Sequence, residues 1–183
     1  MGKIEGIFIQ NYGSLRDITL GRTYTHQEQP PLKNMTTIIG PSGNGKSTIA
    51  DVFGFIADCL DSDVEAACDA GNRGGFEQIR SQGETDPIKF ELYYRESNNA
   101  RPITYEVSID LDRAGRPFVK EDRLRQRVEA KGRPRSFLRL QNGSGFAYEG
   151  NFGGKDDDTG VSDGVQVPVT LSDNRKLGIV TLG

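Results

Sequence analysis

The sequence predicts an α/β fold in which one long helix lies between two groups of β-strands. Apolar and polar residues alternate before residue 40 and again after residue 88, which is the period of a strand. Between these regions, apolar residues recur at helical spacing. The 183 residues suit one domain or one lobe of a larger domain, and the 23 glycines indicate many turns.

The first forty residues predict strands separated by a turn and a loop. An apolar run at residues 4–9 precedes an Asn-Tyr-Gly-Ser turn at residues 11–14, and a second run covers residues 15–20. Residues 22–34 contain two consecutive prolines and predict a polar loop. The β-branched run at residues 35–39 predicts a third strand, buried within the fold.

The stretch after residue 45 predicts an amphipathic helix, and the glycine-rich sequence at residues 71–75 ends that region. The apolar positions expected to face the sheet are Ile49, Val52, Phe53, Ile56 and Leu60. The period then returns to two and predicts an antiparallel meander with strands near residues 90–94, 105–111, 137–140 and 165–171. Residues 150–164 hold five glycines and four aspartates and predict a mobile loop.

The segment between the third strand and the helix matches the Walker A pattern, G-x-x-x-x-G-K-[ST], without a gap. Glycines allow backbone N–H groups to surround phosphate oxygens, and the following helix adds its positive N-terminal end. In this pattern Lys46 lies between the β- and γ-phosphates, Ser47 ligates Mg²⁺, and Thr48 donates to the α-phosphate. The predicted ATP–Mg²⁺ site, in which Lys46 is the catalytic residue, consists of Gly40, Pro41, Ser42, Gly43, Asn44, Gly45, Lys46, Ser47 and Thr48.

The second acidic motif that hydrolysis usually requires is not evident in the sequence. Residues 107–110 end in an aspartate but alternate in polarity, and residues 167–173 contain Pro168, which is disfavoured in a central strand. A signature loop of the LSGGQ kind is also missing, because the glycine-rich residues 142–145 lie between strands. Either these motifs lie beyond residue 183, or the protein is another type of P-loop protein.

The order of these segments, with MTTIIGPSGNGKSTIADVFGFIADCL at residues 35–60, resembles the ABC-type ATPase heads of the RecF, structural-maintenance-of-chromosomes (SMC) and OLD-nuclease group. The likeness is closest to prokaryotic predicted ATPases loosely called the AAA family, whose helix after the loop typically reads GKSNLLDALRFL. Residues 73–83 resemble the segment that follows this helix. The helix positions that agree in register are Asp51, Phe55, Ile56 and Asp58.

The resemblance implies lobe I of such a head, a mixed sheet around the Walker A helix followed by an antiparallel meander. Residues 1–183 then form an N-terminal lobe, with a nucleotide-binding core at 1–83 and the meander at 84–183. The C-terminal lobe, with its signature loop, acidic strand end and switch histidine, lies outside this sequence. The resemblance further implies a head-to-head homodimer that hydrolyses ATP to drive DNA-repair, defence or SMC-like work, and a lobe that is inactive alone.

Two positions of this sequence correspond to residues that contact the nucleotide or its metal in this family. ABC-type heads use a glutamine after the meander to bridge Mg²⁺ and the attacking water, and Gln141 is the candidate by its order in the chain. Many relatives carry Arg or Lys, able to contact nucleotide, where this sequence has Gly13. That contact is therefore not expected here.

Two other functions remain open at this point. The sequence GPSGNGKST also resembles the loop of guanylate kinases, and the length would suit a small nucleotide kinase. However, two strands and a loop precede Gly40, and the second half predicts strands where such kinases need arginine-bearing helices. A nucleotide-sensing module that never hydrolyses ATP is the third possibility.

The charge distribution gives a partner hypothesis. The chain carries a net charge of −3, which argues against a generally basic nucleic-acid binder. Residues 113–139 nevertheless hold ten Lys or Arg against three acidic residues, a local charge of +7. This basic segment predicts a nucleic-acid contact, and the alternative is a sheet edge protected by charge.

The remaining residues with chemical potential are assigned structural roles. His26 is expected to be exposed in the polar loop, and the aspartates at 156–158 to be a solvating tract. Cys59 and Cys68 are expected to pack in the interior, because two cysteines cannot build a disulfide framework or a zinc site. No membrane span or leader is evident, so a cytoplasmic protein is expected.

Overall fold

A sheet of antiparallel strands, eight of them in the described part of the chain, organises the fold. The structure, a computed structural model, describes residues 2–97, 99–126, 135–149 and 165–182. The order of the strands in the sheet is β2-β1-β3-β4-β5-β6-β7-β8. The strands are β1 (Lys3–Tyr12), β2 (Leu15–Gly21), β3 (Ile88–Arg95), β4 (Ile103–Leu111), β5 (Pro117–Gln126), β6 (Arg135–Gln141), β7 (Ser144–Glu149) and β8 (Val165–Thr170).

The predicted meander is confirmed, since each strand from β3 to β8 pairs with the next one along the chain. The hairpin β1–β2 joins the same sheet because β1 also pairs with β3. Every pairing between the described strands is antiparallel, so the mixed sheet expected from the resemblance does not form among them. Pro168 lies in β8, which pairs only with β7 among the described strands, and an edge strand tolerates proline.

Four helices accompany the sheet within the described residues. They are α1 (Lys46–Asp61), α2 (Val64–Asp69), α3 (Phe76–Ile79) and α4 (Gly178–Thr181), with a 3₁₀ turn at Ala70–Asn72. Helices α1 and α2 pack on the face of the sheet that carries Ile9, Phe90 and Val107, which we call the core face. The opposite face is called the outer face.

Helix α1 is the predicted amphipathic helix, but it is rotated from the predicted orientation. Its buried residues are Ile49, Val52, Phe55, Ile56 and Cys59. The spacing of 49, 52, 56 and 59 defines one stripe on the helix. Phe53 and Leu60 were expected on this stripe, yet they are 37% and 41% exposed because they lie at its flank, about a quarter turn from its centre.

The buried strand predicted at residues 35–39 is wrong for this structure. These residues form no strand, and Met35 and Ile39 are 86% and 87% exposed. A strand requires partners for its backbone N–H and C=O groups, and none of the described strands lies alongside this segment. The segment therefore leads into the Walker A loop as an exposed, apolar, unpaired stretch.

The polar loop at residues 22–34 is ordered and crosses the outer face. The Tyr24 N–H donates to Glu91 Oε1 at 2.6 Å, and the Arg125 guanidinium lies 4.1 Å from the centre of the Tyr24 ring. Burial raises the pKa of Glu91. His26 was expected to be exposed, but it is half-buried, and its Nδ1 lies 3.0 Å from the Thr25 hydroxyl.

A buried arginine joins α1 to the segment that follows it. Arg73 Nε donates to Asp51 Oδ1 at 3.0 Å and Arg73 Nη1 donates to Asp58 Oδ2 at 2.6 Å. The same Nη1 donates to the Ala67 carbonyl near the end of α2. The hydroxyl of Tyr12, at the end of β1, donates to the other oxygen of Asp51 at 2.6 Å. One side chain thus connects α1 with α2 and, through Asp51, with the sheet.

Hydrogen bonds of residues 174–178 connect α2 and α4 to strand β5. The Asn174 carbonyl accepts from the Val119 N–H, and the Arg175 carbonyl accepts from the Val64 N–H. The Gly178 N–H donates to Asp122 Oδ2 at 2.5 Å. Asp122 is 1% exposed, and burial raises the pKa of its carboxyl to about 6, although the Gly178 N–H and the nearby Tyr105 hydroxyl oppose this shift.

Both cysteines are buried and unpaired by disulfide, as predicted. Burial raises the pKa of each thiol, which keeps both in the unreactive protonated form. No helix in the described part of the chain combines the length and apolarity that crossing a membrane requires.

We predict that Asp122 makes the protein less stable as the pH rises. The pKa of this carboxyl is about 6 in the folded state against 3.8 for an ordinary aspartate. The unfolded chain therefore loses the proton first, and the free energy of unfolding falls by up to about 3 kcal/mol between pH 4 and pH 7. Asp122→Asn cannot titrate, so urea unfolding at several pH values should show a smaller fall. An identical pH profile in both proteins would exclude Asp122 as the cause.

Candidate functional site

The Walker A loop lies at the N-terminal end of α1 and is exposed to solvent. Its backbone turns at two glycines in the left-handed region, Gly43 with φ of 85° and Gly45 with φ of 76°. Residues with a Cβ rarely adopt these angles, so the path of the loop depends on glycine at both positions. Gly40 has neither a positive φ nor any atom within 4 Å of an added Cβ.

The N-terminus of α1 presents free backbone amides to the loop. The first helical hydrogen bond runs from the Ile49 N–H to the Gly45 carbonyl at 2.9 Å. The amides of residues 45–48 therefore have no acceptor within the helix. Neither an acidic residue in the first turn nor a side-chain cap satisfies them. Such an end attracts anions, and phosphate above all.

Lys46 folds back over the start of the loop. Its Nζ donates to the Gly40 carbonyl at 2.8 Å and to the Pro41 carbonyl at 2.5 Å. These hydrogen bonds connect the beginning of the loop to its end through the lysine side chain. None of the described carboxylates forms an ion pair with Lys46, so its positive charge is available to an anion at the loop.

The turn between β1 and β2 packs against the loop, a contact that the sequence analysis missed. The Ser14 and Thr48 hydroxyl oxygens lie 3.2 Å apart. A Cβ at Gly13 would lie 2.8 Å from the Thr48 methyl group, and a Cβ at Gly45 would lie 2.8 Å from the Leu15 side chain. Gly13 also has a positive φ of 56°. Glycine at 13 therefore allows the turn to approach the loop closely.

The glutamine candidate lies away from the loop. Gln141 is on β6 opposite Glu121, and together they line a groove on the outer face with Lys89 and Ser108. The helix and loop are on the core face, and none of residues 40–48 lines this groove. The structure therefore does not bring Gln141 to the Walker A loop. The predicted loop at residues 150–164, with the aspartates at 156–158, lies outside the described residues.

The basic segment 113–139 is divided by the structure. Several of its cations are paired: Arg116 with Asp112, Lys120 with Asp110, and Arg125 with Glu106. Residues 127–134 are outside the described part of the chain. Arg123 and Arg139 lie on the outer face, where Arg123 donates to the Ser136 hydroxyl and is 3.9 Å from Glu106.

The loop, the helix that it precedes and the lysine define a P-loop nucleotide-binding domain of the ATPase-like kind. The family model described as "AAA domain, putative AbiEii toxin, Type IV TA system" matches residues 35–159, which is more than half of the chain. The chain belongs to this family. AAA-family ATPase domains generally bind ATP with Mg²⁺, and residues 40–48 fit that ligand. No curated protein and no solved structure matches the chain.

We predict that three glycine-to-alanine changes in the loop have graded effects on stability. Gly45→Ala combines a positive φ with a clash against Leu15 and should lower the free energy of unfolding by about 2 kcal/mol. In Gly43→Ala the added Cβ strains the backbone but touches no other atom, so the free energy of unfolding should fall by about 1 kcal/mol. Gly40→Ala is the matched control, expected within ~0.5 kcal/mol of the wild type. Urea unfolding tests the order, and equal costs at positions 40 and 45 would contradict this loop geometry.

Proposed function

We propose that residues 40–48 bind ATP–Mg²⁺ and that the protein hydrolyses ATP as the first lobe of an ABC-type head of the RecF/SMC/OLD kind. The observation that carries the proposal is the set of free amides at the start of α1, placed beside Lys46. Backbone amides and one ammonium group are the donors that a triphosphate chain requires. The family match, which begins at residue 35 and includes the whole loop, supports the same ligand.

Each loop residue has a separate part in this proposal. Lys46 exchanges the Gly40 and Pro41 carbonyls for phosphate oxygens, a change that needs only rotation of its side chain. Ser47, at the second position of α1, supplies its hydroxyl to Mg²⁺. Thr48 donates to the α-phosphate, and its hydroxyl is already positioned by Ser14.

Hydrolysis in this proposal requires groups from outside the described residues. None of the described carboxylates forms a hydrogen bond or ion pair with residues 40–48, so nothing described holds the attacking water. The exposed segment 35–39 directly precedes the loop, and Phe53 and Leu60 are exposed further along α1. We infer that strands of a second lobe cover this apolar surface and that a partner subunit in a head-to-head dimer completes the site.

The fold disfavours the kinase alternative. Small nucleotide kinases close arginine-bearing helices over the phosphates, whereas the described residues from 88 to 170 form strands and turns. Among the processes that such ATPase heads drive, we favour defence, because the family description names a putative toxin of a type IV toxin–antitoxin system.

We predict that Lys46→Ala abolishes ATP binding and leaves the fold intact. The lysine is only half-buried and its hydrogen bonds go to loop carbonyls, so its loss should not change the melting temperature by more than about 2 °C. Isothermal titration calorimetry with ATP and Mg²⁺ measures the binding, with Lys33→Ala as a control for loss of an exposed lysine. Unchanged affinity in Lys46→Ala would exclude the loop as the phosphate site.

A second prediction concerns catalysis by the chain of 183 residues alone. It should bind ATP weakly and release phosphate far more slowly than the ~10 per second of typical enzymes, because charge stabilisation and a positioned water are both required. A steady-state phosphate-release assay on the purified chain measures this. Turnover near that rate, lost in Lys46→Ala, would show a complete active site and disprove the composite one. Binding without turnover in a complete dimer would instead favour the nucleotide sensor.

A further inference from the structure

The outer face carries a row of side chains that the nucleotide site does not use. The sheet register places Glu106, Arg123, Arg139 and Phe146 directly opposite one another on β4, β5, β6 and β7. Directly opposite residues in an antiparallel sheet share a face and lie about 5 Å apart at their Cβ atoms. Helix α1 and the Walker A loop belong to the core face, so this row is separated from them by the sheet.

The positive charges of this row are only partly compensated. Glu106 pairs closely with Arg125, and its other oxygen is 3.9 Å from Arg123 Nη1. Among the described residues, Arg139 forms neither an ion pair nor a hydrogen bond. Two guanidinium groups directly opposite each other are destabilising unless an anion lies between them. Both line a groove of about 260 Å³ together with Lys89 and the carboxylates of Glu91, Glu106 and Glu121. Of the two arginines, Arg139 is therefore the one whose charge has no carboxylate partner among the described residues.

Two aromatic rings stand beside these arginines on β7. The usual alternation of a half-buried strand is inverted here, because Gly145 and Ala147 face the core and Phe146 and Tyr148 face outward. Phe146 is 48% exposed and Tyr148 is 40% exposed. A strand that needed only to cover the core would carry its large side chains inside. The two exposed rings are therefore suited to bind a ligand with flat apolar surfaces.

We propose that the outer face of β5–β7 binds single-stranded nucleic acid, with phosphates at Arg123 and Arg139 and bases stacked on Phe146 and Tyr148. Exposed aromatic rings beside arginines bind single strands of any sequence, since every base offers a flat face. A duplex hides these faces in its own stack and should bind less well. An acidic peptide matches the arginines but not the rings, which is why a nucleic acid is favoured.

The charge count limits how the ligand is held. Only two cations contact phosphates, so the logarithm of affinity should fall with the logarithm of salt with a slope of about −1.4. If the ligand instead bound through all the charges of the basic segment 113–139, affinity would fall much more steeply with salt concentration. Most of the affinity should therefore come from the rings. The site is independent of the proposed ATP site, so neither depends on the other being correct.

The test is fluorescence anisotropy with a labelled oligothymidylate of about 12 nucleotides, long enough for one such site. The full chain should bind it at low salt, and Phe146→Ala and Arg139→Ala should each weaken binding about tenfold. Phe146→Leu keeps the apolar bulk and should lose nearly as much. Arg116→Ala, from the same basic segment but paired with Asp112, is the control expected to bind normally.

Several results would overturn the proposal. These are no binding by the folded wild-type chain, equal loss in Arg116→Ala and Arg139→Ala, or full affinity in Phe146→Ala. Equal or tighter binding of a duplex of the same length would also overturn it. If a labelled poly-glutamate peptide bound with the same dependence on Arg139, and Phe146→Ala bound it normally, the surface would be an acidic-peptide site instead.

Discussion

The guanidinium of Arg73 fixes the position of α1, and the geometry of the nucleotide site follows from that position. It joins two carboxylates of α1, at Asp51 and Asp58, to backbone carbonyls around the end of α2. Asp51 also accepts from the hydroxyl of Tyr12, whose ring packs 5.4 Å from that of Phe55. Because Tyr12 immediately precedes the turn that touches Thr48, this network also sets how the turn meets the Walker A loop.

Strands β3 and β4 were predicted from their uninterrupted alternation of apolar and polar residues. Strand β5 was missed because Lys120 is an extra residue in its pairing with β4 and shifts the period, and because its core-facing positions include Asp122. Strand β7 was missed because its alternation is inverted. Yet the Asn142-Gly143 pair, with both φ values positive, is a strong two-residue hairpin signal that the sequence contained.

The candidate site was predictable to the extent that it is local in sequence. The Walker A motif specifies a loop and a helix start within nine consecutive residues, and the helix did begin at Lys46. Contacts between segments that are distant in the sequence could not be predicted in this way. Ser14 lies 34 residues from Thr48, and neither segment contains a pattern that indicates their contact. The strand at residues 35–39 failed for a related reason, since a β-branched run shows a preference for pairing but does not supply the partner.

The proline in β8 has a consequence for assembly. In the described sheet, β8 is the last strand and pairs on one side only, with Pro168 opposite Phe146. An open strand edge recruits the edges of other molecules through its repeating donors and acceptors, and proline removes a donor from that series. Copies of the chain are thereby discouraged from joining edge to edge into fibrous aggregates at this side of the molecule. Any self-association should therefore use other surfaces, which can form a closed oligomer with a fixed number of subunits.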